Sequence, residues 1–424
     1  MEMTIYPNLG ETLYVEKLPN GASVMVLPKA GYNKFFACYS TNYGGADRRF
    51  KYGGEWIDTP AGVAHFLEHK MFDTKDGNAL NILSANGASP NAWTSSAMTT
   101  YYFECAKGFE ENLKSLLSFV SVPYFTQESV DKEQGIIGQE IRMTDDEPGY
   151  VVYFNLLKAL YASNPARDSV AGSVESIAEI SADTLYACHK VFYNPSNMVL
   201  CVAGDVSPER VVEIARSVLP AEPGEVPERD YGPADDKKVY APVTEVQMSV
   251  SAPQFMFGCR VEPAPKGEGR LRQSVLSGLA VEYLTGRASP FYTELYSGGL
   301  IKNDFSACVD YVGGSAVLIA GGESRDPGAV LERFKAELAK LRDNGADPEL
   351  FDRVKKSIYG ANVRALDNFS GICTAMAESY FAGYNALDEF EILKGITAEE
   401  LRGFILESFD PEGFALSVIS PAEK

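Results

Sequence analysis

Two of the three histidines in the chain, His65 and His69, stand four residues apart with Glu68 between them. On a helix this spacing sets both imidazoles on one face, one turn apart, near enough to grip a single ion. Neutral imidazoles are good Zn²⁺ ligands, and a catalytic zinc takes three protein ligands while leaving a fourth position to water. Glu68, on nearly the same face, is placed to accept a proton from that water. The alternative, two ordinary helix histidines beside a solvated glutamate, is weakened by the scarcity of histidine in this sequence.

A helix and at least one further element must hold such a site. Asp58 or Thr59 is expected to cap the helix start, and Pro60 suits a first turn, where its missing N–H costs nothing. A third ligand has to come from elsewhere, because one helical turn cannot surround an ion. The candidate is Lys132-Glu-Gln-Gly-Ile-Ile-Gly-Gln-Glu-Ile-Arg142, a helical pattern with Glu133 and Glu140 two turns apart and Ile136, Ile137 and Ile141 as packing surface. Periodicity alone neither ranks the two glutamates nor separates them from solvated ones.

The 424 residues, 45% of them hydrophobic, are enough for two globular domains. A net charge of −20 disfavours nucleic acid or an anionic membrane as partner. No signal-like start or bilayer-length apolar run is evident, so a cytoplasmic location is expected. The seven cysteines, at 38, 105, 188, 201, 259, 308 and 373, include no Cys-x-x-Cys pair and read as buried thiols.

After a short lead, alternation predicts strands at 22–27 and 34–42. Helical pattern follows near 77–86, and two short strands are expected near 88–95 and 99–105. Helices are expected at 108–121, 127–144, 149–161 and 181–192, then a strand at 198–203 and a helix at 207–218. Residues 219–238 are Pro-rich and acidic, as an exposed linker would be. The second half repeats the order. Ile180-Ser-Ala-Asp-Thr-Leu185, then Pro195, recurs 216 residues on as Ile396-Thr-Ala-Glu-Glu-Leu401, then Pro411, which favours duplication. The expected organisation is α+β: a metal-bearing domain over 1–220, a linker over 221–240, and a domain of similar fold over 241–424. The second has no histidine and cannot repeat the site.

The first half resembles the pitrilysin/insulinase family of zinc peptidases, in the branch of the processing peptidases. The residues that carry the likeness are Gly62-Val-Ala-His-Phe-Leu-Glu-His-Lys-Met-Phe72, Asn91-Ala-Trp-Thr94, Tyr101-Tyr-Phe103, and Glu133 with Glu140. The resemblance implies two tandem homologous α/β domains, each a mostly antiparallel sheet flanked by helices, together half of a clamshell. It implies that His65, His69 and Glu140 bind Zn²⁺, that Glu68 is the general base, and that Glu133 steadies the site. It makes Asn91, Ala92 and Trp93 part of an edge strand to which an extended peptide adds; Trp93 as a core aromatic stays open beside this.

Complete members also supply an arginine and, seven residues on, a tyrosine. Alignment puts Tyr296 and Asn303 at those places, with Arg287 a nearby substitute or a solvated residue. The chain is therefore expected to be the catalytic subunit of a dimer, its partner a related protein carrying the missing pair, with a homodimer as the other form. A non-catalytic peptide-binding or assembly subunit of the same fold is the competing expectation.

Overall fold

Residues 198–204, Met-Val-Leu-Cys-Val-Ala-Gly, carry no polar side chain, so a strand formed there needs cover on both faces. In the computed structural model, which describes residues 1–233, 238–312 and 314–422, all seven are buried. The chain forms two units. One comprises Met1–Ile141, Ser169–Tyr231 and Val363–Leu387; the other comprises Arg142–Asp168, Gly232–Asn362 and Asp388–Lys424.

In chain order, the first unit opens with β1 (Glu2–Tyr6), β2 (Glu11–Lys17), β3 (Ser23–Pro28) and β4 (Phe35–Thr41). A hairpin, β5 (Arg49–Tyr52) and β6 (Glu55–Asp58), leads to helix α1 (Val63–Met71) and a small ribbon, β7 (Asp73–Thr74) and β8 (Gly77–Asn78). Then come α2 (Ala79–Ala85), β9 (Ala88–Thr94), β10 (Thr99–Cys105), α3 (Phe109–Ser121) and α4 (Gln127–Asp145). Beyond α5 (Pro148–Leu160) follow α6 (Val174–Ala178), α7 (Ala182–Phe192), β11 (Met198–Gly204), α8 (Pro208–Val218) and β12 (Glu228–Arg229). The main sheet runs β1-β2-β3-β11-β4-β10-β9, antiparallel except where β11 pairs with β3. On one face α3 packs on β4 and β10, and α8 packs on β3.

The other unit contains β13 (Val243–Met248), β14 (Gln254–Val261), α9 (Glu268–Thr285), α10 (Pro290–Ser297), β15 (Ser306–Val312) and β16 (Ser315–Glu323). These are followed by α11 (Pro327–Asn344), α12 (Pro348–Ala365), α13 (Phe369–Ala382), α14 (Glu389–Gly395), α15 (Ala398–Ser408) and β17 (Phe414–Pro421). Its sheet order, β13-β17-β14-β16-β15, repeats β3-β11-β4-β10-β9, with the same single parallel pair in the same place. Duplicated topology thus accompanies the repeated sequence, and the class is α+β.

Several expectations change. The short lead is the hairpin β1–β2, whose alternation is blurred because Met3 and Ile5 point to solvent. The units are not the two contiguous halves. α5 packs on β14 and β17 in the second sheet, while α13 supplies the cover for β4 and β11 in the first. One boundary, Tyr231/Gly232, does fall within 221–240. That stretch is not simply exposed, since Glu228 and Arg229 pair with β5 and the Tyr231 hydroxyl donates to Asp47 at 2.9 Å; residues 234–237 lie outside the described ones. Of the seven cysteines, all free, Cys308 is exposed and the rest are buried.

The third histidine, His189 on α7, lies in the core. It is 6% exposed, stacks on Tyr193 and donates from Nε2 to the Val120 carbonyl at 3.0 Å. Burial disfavours its charged form and takes its pKa down to about 4, despite the bond to Val120. The unfolded chain, with an ordinary value near 6.5, therefore binds more protons between those limits, and stability falls as pH drops from about 6.5 toward 4. Denaturant melts should show this imidazole contributing roughly 3 kcal/mol of that loss, and the contribution should disappear in His189→Gln.

Candidate active site

Helix α1 earns its place by burial. Phe66 and Leu67 are fully buried, each worth about 2 kcal/mol, with Val63, Ala64 and Met71 on the same packed side. The expected cap is displaced. Gly62, at φ 97°, is the N-cap, because the entering chain turns through a left-handed conformation and a Cβ there would meet the Ala171 carbonyl at 2.6 Å. Asp58 instead pairs with Arg49, and the Thr59 hydroxyl donates to the Arg48 carbonyl.

Packing this side inward leaves His65, Glu68 and His69 on the other. The imidazole centroids are 4.6 Å apart. Helix α4 brings its glutamates to them, seated by buried Val130, Ile137 and Ile141. Ile136, expected to pack, is 46% exposed because it lies off the stripe formed by Val130, Ile137 and Ile141. Glu140 lies between the two rings, Oε1 3.5 Å from His65 Nε2 and Oε2 3.5 Å from His69 Nε2. Glu133 takes the far side of one ring, its Oε1 3.0 Å from His69 Nδ1.

Each of His65, His69 and Glu140 offers an atom within 4.8 Å of the others, a group able to hold a metal ion. Tetrahedral zinc with bonds of about 2.1 Å separates its ligand atoms by about 3.4 Å. The 3.5 Å separations match that edge and are too long for good hydrogen bonds. With two imidazoles and a carboxylate as donors, the residues fit zinc.

Glu68 stands beside this group, accepting a hydrogen bond from Thr94 Oγ1 at 2.7 Å. Thr94 ends β9, the last strand of the sheet, so the outer edge of β9 has no neighbouring strand among the described residues. Along it Asn91 is exposed, Ala92 buried and Trp93 half-buried. The Ala92 N–H is held by the Asn91 side-chain carbonyl at 2.9 Å. In the second unit Tyr296 is 46% exposed and stacked on Tyr292, and Asn303 and Arg287 are exposed.

Sequence reasoning gave no role to Thr94 or to Lys70, a lysine on the buried side of α1. Lys70 was findable: it lies three and four residues beyond Leu67 and Phe66, on an otherwise apolar stripe.

Fold and site together describe a two-unit α+β architecture with, among the described residues, one group able to hold a metal ion. A family model described as Insulinase (Peptidase family M16) matches residues 53–174, and one described as Peptidase M16 inactive domain matches 179–358. The chain is 35% identical over 421 residues to the uncharacterized zinc protease YmfH of Bacillus subtilis (strain 168), covering 98% of each. It is 25% identical over 361 residues to the mitochondrial-processing peptidase subunit beta of Caenorhabditis elegans, covering 80% of this chain and 77% of that one. A crystal structure of an M16-like peptidase from Alicyclobacillus acidocaldarius superposes with TM-score 0.93 at 30% identity, covering 97% of this chain and 99% of the other. The chain belongs to the M16, or pitrilysin/insulinase, family of peptidases, and its relatives include zinc proteases.

In the metal-free protein, burial works against a charged His69, but the bond to Glu133 and the carboxylates of Glu68 and Glu140 outweigh it and raise its pKa. The neighbouring His65 imidazole lowers that of Glu140, against burial, and the charge of both imidazoles adds to the effect. Protons and metal therefore compete for His69. Histidine titration by NMR should find His69 protonating above its ordinary value near 6.5, and Glu133→Gln should bring that midpoint down.

Proposed function

We propose that this chain is a zinc-dependent endopeptidase acting on peptides or unfolded polypeptide segments, and that it is the catalytic subunit of a dimer. The observation that carries the reading is the convergence of His65, His69 and Glu140 with Glu68 beside them.

His65 and His69 would hold the ion through Nε2, and Glu140 through its carboxylate. When bound, zinc supplies Lewis-acid polarisation of a carbonyl and a water acidified to a pKa of about 7. Glu133 fixes the His69 ring by accepting its Nδ1 proton, which keeps the Nε2 lone pair directed at the ion. Glu68 takes a proton from the attacking water and returns it to the leaving amine as the peptide bond breaks. The Thr94 hydroxyl holds the Glu68 carboxylate toward the end of β9. A substrate backbone pairing along Asn91, Ala92 and Trp93 is brought past that carboxylate as an added strand; Asn91 must release the Ala92 N–H to admit it.

The dimer is inferred from what is missing. Tyr296 and Asn303 stand where complete members carry an arginine and a tyrosine, so a related subunit would provide them, whether a paralogue or a second copy. A relative named as one subunit of a processing peptidase supports this. Seven free cysteines support a reducing, cytoplasmic setting, and no helix among the described residues is long and apolar enough to cross a membrane. The same missing pair, with the inactive-domain match over 179–358, favours the second reading, a peptide-binding or assembly subunit.

Metal analysis and a quenched peptide assay on the purified chain, alone and with a partner, test the two readings. About one zinc per chain is expected, abolished by His65→Ala. Glu68→Gln should keep the metal and lose at least about 100-fold in hydrolysis; wild-type turnover in that variant removes Glu68 as the base. Thr94→Val should keep the metal and lose about tenfold, less than Glu68→Gln, because the base remains but is no longer held.

A further inference from the structure

Among the buried side chains of α1, Lys70 is the only charged one; the others are Val63, Ala64, Phe66, Leu67 and Met71. It is 1% exposed. An ammonium in such a place persists only if it is paired. Two carboxylates meet it: Asp73, three residues on and 41% exposed, and Glu133, 16% exposed, with Oε2 3.9 Å from Nζ. The other oxygen of Glu133 is the one 3.0 Å from His69 Nδ1. A continuous chain of charges thus runs from Asp73 through Lys70 and Glu133 to the imidazole that Glu140 faces.

Asp73 alone would satisfy Lys70, and at the surface. The second contact has a different effect. Glu133 is 16% exposed and has its two oxygens turned to different partners, Oε1 to His69 and Oε2 to Lys70, so a cation on the second oxygen helps fix the direction of the first. Lys70 is the cation within ion-pair reach of Glu133 on the side away from the rings. At 3.9 Å it acts through charge and not through a hydrogen bond.

We infer that Lys70 is a positioning residue for the metal site: its buried ammonium holds the Glu133 carboxylate in place, so that Glu133 fixes His69 with Nε2 free for the ion. The inference rests on the zinc reading above and adds a residue to it. Partners one step behind a ligand, as Glu133 is to His69, typically govern metal affinity by 10- to 100-fold, and Lys70 acts through that partner.

The test is zinc affinity of the full chain, measured by competition with a chromogenic chelator, with melting of the metal-free protein followed in parallel. Lys70→Met should weaken zinc binding about tenfold and Glu133→Gln by at least as much. The two combined should be no weaker than Glu133→Gln alone, because Lys70 acts through that carboxylate. Lys70→Arg, which keeps the charge, should bind zinc within about twofold of wild type. Asp73→Asn should do the same, since Glu133 retains its cation. Lys70→Gln repeats the measurement if Lys70→Met does not fold.

Wild-type affinity in Lys70→Met or Lys70→Gln, or an equal further loss when either is added to Glu133→Gln, overturns the inference and leaves the zinc reading standing. A lower melting temperature with unchanged zinc affinity also overturns it, since that is what a purely structural pair with Asp73 would give. A wild-type chain that takes up no zinc overturns both.

Discussion

Negative charge held at close quarters is the constraint around which the first unit is arranged. Glu68, Glu133 and Glu140 are gathered against two imidazoles by two helices, and the groups are partly or largely withdrawn from water. Carboxylates do not crowd in this way unless cations balance them. His69 answers by holding its proton more tightly, and a divalent ion would answer better. Helix α1 can present its polar side only because Phe66 and Leu67 fix the other in the core, and α4 can deliver glutamates only because Ile137 and Ile141 seat it. The hydrophobic packing is what makes an unfavourable electrostatic arrangement durable.

The part of this that is local in sequence was legible. A four-residue spacing of histidines on an apolar-striped segment specifies a helix face, and the seven-residue spacing of Glu133 and Glu140 specifies another. What decided between the glutamates was not periodicity, which treats them alike, but the register of one helix against the other, a tertiary fact. The cap of α1 was misread for a similar reason: Asp58 and Thr59 have the right chemistry, yet the hairpin β5–β6 claims both, and Gly62 takes over where the chain must turn near Ala171. The links from Lys70 to Glu133 and from Thr94 to Glu68 were not legible because they join residues 63 and 26 positions apart in the chain.

Duplication explains both the economy and the asymmetry of the molecule. Five strands recur in one order, with one parallel pair in the same position, so the same physical solution to covering a twisted sheet is used twice. Only one copy carries imidazoles. In the other, the edge strand β15 and helix α9 stand where β9 and α1 stand in the first, without histidine.

The exchange of α5 and α13 bears on how the chain is made. Strands β4 and β11 are complete once residue 204 has been synthesised, yet the helix that shields their second face begins only at Phe369. At typical rates of synthesis, about 5–20 residues per second, that sheet waits roughly ten to thirty seconds with oily strands uncovered, while α5, already made, waits for a sheet not yet translated. The first unit cannot be completed before Leu387 is made, nor the second before β17, so both mature late in synthesis and the uncovered strands are exposed to chaperones in that interval.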